Sequence, residues 1–169
     1  LAENIKAGSE GLVFLPYMAG ERSPIWNPKA KGVYYGLDYS KTKDHMIRAS
    51  MEGVAFSLKH NLDVAEQAGT EVSRLRAMGG SANSQLWTQI KSDVTNKPID
   101  VLNSDTATTL GAAMLAGVAV GVYKDFEDAV AKTVQVRRSH TPNSNNSEIY
   151  RKNYELYLKL YEQLKGVMK

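Results

Sequence analysis

Between Lys43 and Val120 the chain changes its hydrophobic period repeatedly, and each change is separated from the next by only a few residues. Ile47, Met51, Val54, Ala55, Leu58, Leu62 and Ala65 recur at helical spacing, and Gly69 stands where a C-terminal cap belongs. Val72 to Met78 reads as a short strand, broken by Gly79-Gly80 ahead of a helix whose apolar positions are Leu86, Trp87, Ile90 and Val94. Asn96-Lys97-Pro98 then turns the chain into a strand over Ile99 to Leu102, and an Ala-rich helix follows from about Thr106 to Val120, with Ser104 or Asp105 as its cap. Strands alternating with helices over short connections predict an α/β domain with helices packed on a largely parallel sheet.

The flanks are less regular. Leu12 to Leu15 is a continuous apolar run closed by Pro16, the pattern of a buried strand, and Gly32 to Leu37 has the aromatic and β-branched content of a second one. The segment between them, Gly20 to Pro28, is long enough to be a crossing loop. After Tyr123 the sequence predicts a brief helix over Phe126 to Lys132, then a loop from Arg137 to Asn146. A last helix, capped by Ser147, carries Tyr150, Tyr154, Tyr157 and Tyr161 on one face, a stripe that reads as packing.

With 169 residues and 43% hydrophobic content the chain can bury a core of its own, and no linker divides it. Lys and Arg number 21 against 18 Asp and Glu, but the basic residues lie among acids, so the net charge of +3 does not argue for nucleic acid. Cysteine is absent, which removes disulfides, thiolate metal sites and a thiol nucleophile. No apolar run reaches the roughly 20 residues that span a bilayer, and a cytoplasmic location is expected, with neither membrane nor nucleic acid as partner. The chain opens on Leu1 and not methionine, which raises the expectation either that processing has removed a segment or that this is a piece of a longer protein.

Three places combine residues that could carry chemistry. Met78-Gly79-Gly80-Ser81-Ala82-Asn83-Ser84 lies between a strand end and a helix start, where ligands of α/β sheets collect. Glycines there admit a flat ring or a phosphate, and the helix N-terminus behind them has positive dipole character; the alternative is a sharp turn and N-cap serving the fold alone. Thr106 to Gly117 has small residues suited to close helix packing, or to a second wall of the same ligand site. In Gly20 to Pro28, two prolines restrict a loop that holds Glu21, Arg22 and Trp26. Trp26 and Arg22 either face a ligand or partner domain, or Trp26 packs on the core while Glu21 pairs with Arg22. His45, His60 and His140 have no metal-ligand spacing and read as surface or capping residues, and Asp93, Asp100 and Asp105 as helix surface, strand end and cap. No Walker-type loop occurs.

Met78 to Val94 resembles the C-terminal signature of the FGGY family of carbohydrate kinases. Phe14-Leu15-Pro16-Tyr17 with Gly20-Glu21-Arg22-Ser23-Pro24, Asn27-Pro28 with Lys31-Gly32-Val33 and Gly36-Leu37, and Thr109-Leu110-Gly111-Ala112-Ala113 agree with the same family in order and spacing, from Gly8 to about Gln135. Within the family, the Gly-Glu-Arg-x-Pro loop looks most like those of xylulose kinases, then gluconate kinases.

The resemblance implies a ribonuclease-H-like fold of the actin, hexokinase and Hsp70 superfamily, with a mixed sheet and helices packed on it. It implies that residues 1–169 are most of a C-terminal nucleotide-binding domain, the N-terminal sugar-binding domain and the catalytic aspartate lying upstream of Leu1. By the same resemblance adenine and ribose rest against Gly79, Gly80 and Ser81, with Asn83 or Ser84 as the polar contact. ATP or ADP is the implied ligand and Mg²⁺ the implied metal, held mainly by the nucleotide and the missing domain. The implied acceptor is a hydroxyl of D-xylulose, the alternatives being gluconate or another sugar, or an ATP-responsive module without catalysis. A homodimer is compatible with the resemblance, and the 169 residues alone are expected to turn over no substrate.

Overall fold

A computed structural model describes residues 1–103 and 106–168. The predicted caps Ser104 and Asp105 lie outside the described residues, and Thr106 stands at the N-cap position of the helix that follows.

Strand β1 (Val13–Leu15) pairs antiparallel with β2 (Val33–Tyr35), Phe14 opposite Tyr34. The two strands are direct neighbours, so the segment between them returns the chain to the same sheet edge instead of crossing over. Helix α1 (Lys43–Gln67) follows, opened by a capping box in which Thr42 and His45 serve one another and closed at Gly69, whose N–H and that of Thr70 bond back to Glu66 and Ala65. The helix crosses β1 at Gly53, where a Cβ would run into the carbonyl oxygen of Phe14.

The second sheet has the order β3 (Leu75–Ala77), β4 (Ile99–Leu102), β5 (Val136–His140). Helix α2 (Gln85–Thr95) connects β3 to β4, which pair in parallel with Leu75 opposite Ile99 and Ala77 opposite Val101. β5 then adds antiparallel to β4. The sheet is therefore mixed, not largely parallel: one parallel pair is present among the described residues, and β1 belongs to the other sheet. The predicted loop from Arg137 is a strand in its first four residues. Val136–His140 is an edge strand whose side chains are exposed or half-buried, so the apolar alternation that marks a strand in sequence is missing.

Helix α3 (Ala107–Ala119) packs chiefly on α4 (Phe126–Thr133). Close packing of its small residues holds at Gly117, which receives the ring of Tyr123, but Ala112, Ala113 and Ala116 are exposed. Helix α5 (Ser147–Leu164) starts after Asn146, not after Ser147; Ser147 is its first residue and its hydroxyl donates to the Ser144 carbonyl at 2.6 Å.

The core lies where α1, α2 and α5 meet β1, around Leu15, Tyr17, Phe56, Ile90 and Tyr157. Phe56 touches the rings of Tyr150, Tyr154 and Tyr157, so the tyrosine stripe is packing, as its period implied. The hydroxyls find partners: Tyr17 donates to Tyr157 at 2.6 Å and Tyr154 to Asp63 at 2.7 Å. Burial pushes the phenols of Tyr17, Tyr150, Tyr154 and Tyr157 up, so all four stay protonated and can donate.

The buried face of α1 differs from the expected one. Ala55 is buried as expected, but with it His45, Arg48, Ala49, Glu52, Gly53 and Phe56 point inward, whereas Ile47, Met51 and Leu58 are half-buried and Val54 is exposed. Gly8 N–H, Ser9 Oγ, Arg48 Nε and Tyr150 Oη all donate to the Glu52 carboxylate, and this network is what turns the polar side of the helix inward.

Candidate functional site

β3 delivers the chain to Gly79, which takes φ 80° and ψ −179°. That combination is essentially restricted to glycine, and it swings the backbone out of the sheet. Gly80–Asn83 then form one turn of 3₁₀ helix, and Ser84 caps α2 by accepting the Trp87 N–H at 3.2 Å. Gly79, Gly80, Ser81, Asn83 and Ser84 are thus gathered at one strand-to-helix corner. They divide by role: a Cβ at Gly80 would meet no heavy atom within 4 Å, and Ser81 and Asn83 are exposed, while the Ser84 oxygen is engaged by the helix.

The corner is held from outside the segment. Trp87 donates its indole N–H to the Met51 carbonyl at 3.1 Å, tying α2 to α1. Lys91 lies over the Trp87 ring, 4.3 Å from its centre and 3.5 Å from Ser81 Oγ. Burial pulls the Lys91 amine below its ordinary value. From β5, Arg138 donates to the Ala82 carbonyl and Arg137 donates to Asn83 Oδ1 at 2.6 Å. An open cleft of about 390 Å³ runs beside the turn, lined by Val54, Leu58 and Leu75 together with Met78, Ser81 and Lys91. The arrangement offers an unshielded backbone for a flat ring, short polar side chains, and three cations for anionic groups.

Lys91, Arg137 and Arg138 were not singled out by sequence. The one usable signal was the spacing of Lys91, seven residues after Ser84 and so on the turn-facing side of α2. Nothing local tells that a strand at positions 136–140 lies beside Ala82 and Asn83.

The other candidates separate from this corner. In the loop over residues 20–28, Glu21 accepts the N–H groups of Arg22 and Ser23 at 2.8 and 3.2 Å, so its carboxylate serves the loop backbone and does not pair with the Arg22 side chain. Trp26 is 73% exposed and so does not pack on the core, contrary to that alternative. His45 caps α1 as expected, but His60 and His140 are not surface groups. His60 is half-buried, its Nδ1 enclosed without a partner, and His140 is bound between Gln89 and Arg138. Asp93 is buried and accepts from Gln89, Asn143 and Asn146, which makes it the anchor of the turn before α5 and not a helix-surface residue. Asp100 lies inside β4, buried between Arg76 and Ser139 of the neighbouring strands and not at a strand end, and it accepts from Arg74 and Ser139.

Among the described residues no group of three His, Cys, Asp or Glu is placed to hold a metal ion, and no helix is long and apolar enough to cross a membrane.

Residues 1–120 match the FGGY family of carbohydrate kinases, C-terminal domain. The chain is 34% identical over 165 residues to a xylulose kinase of Staphylococcus epidermidis, and 37% identical over 167 residues to a gluconokinase of Bacillus subtilis; each alignment takes in 98% of this chain. It spans about a third of the length of these curated relatives, 33% and 32% respectively. Among solved structures, a ligand-bound xylulose kinase from Lactobacillus acidophilus superposes with a TM-score of 0.90 at 30% identity, covering 99% of this chain and 34% of that one. A glycerol kinase of Plasmodium falciparum solved with ADP gives 0.79 at 25% identity, covering 94% and 32%. The mixed α/β fold, the signature corner at Gly79–Ser84 and these likenesses agree: the chain belongs to the FGGY family of carbohydrate kinases.

Proposed function

We propose that this chain is the nucleotide-binding portion of an ATP-dependent sugar kinase that phosphorylates a hydroxyl of D-xylulose. The observation that carries the reading is Gly80: its side faces open space at a strand end, immediately before a helix N-terminus, in a chain whose relatives include a kinase solved with ADP. Adenine and ribose would rest against Gly79, Gly80 and Ser81, with Asn83 or Ser84 as the polar contact, Ser84 through its hydroxyl proton because its oxygen accepts from Trp87. Gluconate is the second candidate acceptor, favoured by the 37% identity to the gluconokinase.

The role of these residues is to bind and orient. Phosphoryl transfer depends on placing the γ-phosphate in line with the acceptor hydroxyl, on a base for its proton, and on cations that offset the developing charge. The corner fixes the nucleotide's far end, and Lys91, Arg137 and Arg138 raise the local potential for an anion. Mg²⁺ supplies charge neutralisation when bound; the described residues offer it no cage of their own, so it would arrive with the phosphates.

Two surfaces favour a larger body around this chain. β3 pairs only with β4 among the described residues, leaving its other edge open, and the apolar side of α1 at Val54 and Leu58 lies half-covered beside it. A sugar-binding domain closing over the nucleotide would exclude water from the reacting phosphate.

Calorimetric titration with ADP tests the reading. The 169-residue chain binds ADP, and Gly80→Val, which has room for its side chain within the protein, abolishes binding without lowering the melting temperature. ADP affinity unchanged in Gly80→Val would remove the adenosine from this corner.

A further inference from the structure

Regular strands send successive side chains to opposite faces, so Arg137 and Arg138 would ordinarily point apart. They do not, because β5 carries an irregularity at this point. Val101 stands opposite Arg138 and Leu102 opposite Val136, which leaves Arg137 as the extra residue of a bulge. The bulge lets both guanidinium groups reach the same turn, Arg138 at the Ala82 carbonyl and Arg137 at the Asn83 side chain, 54 residues away in sequence. Bulges re-aim side chains in this way next to functional sites.

The contact has a chemical consequence. A guanidinium has five N–H donors and no acceptor, so only the oxygen end of the Asn83 carboxamide can face it. The Nδ2 end is then turned outward, and an amide that would otherwise present donor or acceptor indifferently presents a donor. We infer that Arg137 is a positioning residue for the nucleotide: it locks Asn83 so that Nδ2–H faces the ligand and selects an acceptor there, a ring nitrogen of the base or a ribose oxygen. This rests on the reading of the Gly79–Ser84 corner as the adenosine site. Arg137 lies beyond the 1–120 match to the family, and both it and Asn83 are exposed, so the bond contributes orientation more than fold stability.

The test is ADP titration of the 169-residue chain and of Arg137→Met, Arg137→Lys, Asn83→Ala and the double variant Asn83→Ala/Arg137→Met, each with a thermal melt. Loss of one ligand hydrogen bond weakens binding about threefold to tenfold, and that is the effect expected for Arg137→Met, at an unchanged melting temperature. Arg137→Lys restores affinity, since an ammonium also only donates, and the double variant binds no more weakly than Asn83→Ala alone. Wild-type affinity in Arg137→Met, or additive losses in the double variant, would overturn the inference while leaving the nucleotide site in place. Absence of ADP binding by the unaltered chain would overturn the inference and the nucleotide site together.

Discussion

Arg48 and Glu52 stand one helical turn apart on the inward side of α1 and form a buried ion pair, Nε to Oε1, of 2.9 Å. Glu52 is 1% exposed and binds donors from the N-terminal segment, from α1 and from Tyr150 of α5, while Arg48 also donates to the Ala2 carbonyl at 3.2 Å. Burial holds the Glu52 carboxyl above its ordinary value, against the opposing pull of Ser9, Arg48 and the Gly8 N–H. The pair therefore joins the N-terminal segment, α1 and α5 through polar contacts inside the fold.

Removing one member leaves the other buried without its counter-charge, which typically costs about 3–5 kcal/mol. Glu52→Ala is accordingly expected to lower unfolding free energy by about that amount in urea denaturation. A loss below about 1 kcal/mol, the range of an exposed pair, would show that the network adds nothing beyond surface pairing.

The two glycines of the corner should respond unequally to the same substitution. Gly79→Ala forces a Cβ onto backbone at φ 80°, ψ −179°, which costs on the order of 1–3 kcal/mol. Gly80→Ala places its methyl in open space and should change stability by less than about 0.5 kcal/mol. Thermal melts of both variants separate the turn as a fold element from the turn as a ligand surface; equal losses would mean that Gly80 too is held by the fold.

What could be read from the sequence follows a physical line. Elements with their own period or punctuation were visible: α1, α2, α4, the tyrosine face of α5, β4, and the corner at Gly79-Gly80, where the glycine that the backbone demands is in the sequence itself. The bracing of that corner is not visible in sequence, because Arg137 and Arg138 act through β5, an edge strand with an exposed and a half-buried face whose residues carry no apolar alternation. The inward face of α1 was misassigned for a related reason: a period count assumes that burial follows hydrophobicity, and Arg48 with Glu52 is buried by satisfying each other. Strand and helix alternation does not fix the direction of the strand that adds last, so a sequence that reads as largely parallel ends in a β5 that runs antiparallel.

His140 gives the fold a defined response to acid. Its Nδ1–H donates to Gln89 Oε1 at 2.9 Å, and Nε2 accepts from Arg138 Nε at 3.1 Å, an arrangement that only the neutral ring can make. Burial first, and the Arg138 charge second, hold its pKa below the ordinary imidazole value, against a weaker opposing pull from Asp93. A folded-state pKa depressed in this way contributes stability that is present above the unfolded-state value, near 6.5, and is lost as pH falls through the folded one. The melting temperature is expected to fall between about pH 7 and pH 5, and His140→Gln, which keeps an acceptor for Arg138 but does not titrate, should flatten part of that fall. The same acid dependence in His140→Gln would place its origin in other groups, His60 first among them, since burial lowers its pKa as well.

Catalysis by these 169 residues alone is the last expectation, and it is negative. A kinase needs a base within reach of the acceptor hydroxyl, whereas among the described residues the charged side chains that touch the Gly79–Ser84 corner or line its cleft are Arg76, Lys91, Arg137 and Arg138, all of which attract phosphate and none of which is a carboxylate. The relatives carry about two thirds of their length outside the span of this chain, room for a sugar site and its base. Given ATP, Mg²⁺ and either D-xylulose or gluconate, the chain should release ADP at no more than the background rate in a coupled assay, even where titration shows that it binds nucleotide. Sugar-dependent ADP release would place the base within these 169 residues, and among the described ones it would have to be sought in carboxylates that now serve structure, Asp93 and Asp100 before the rest.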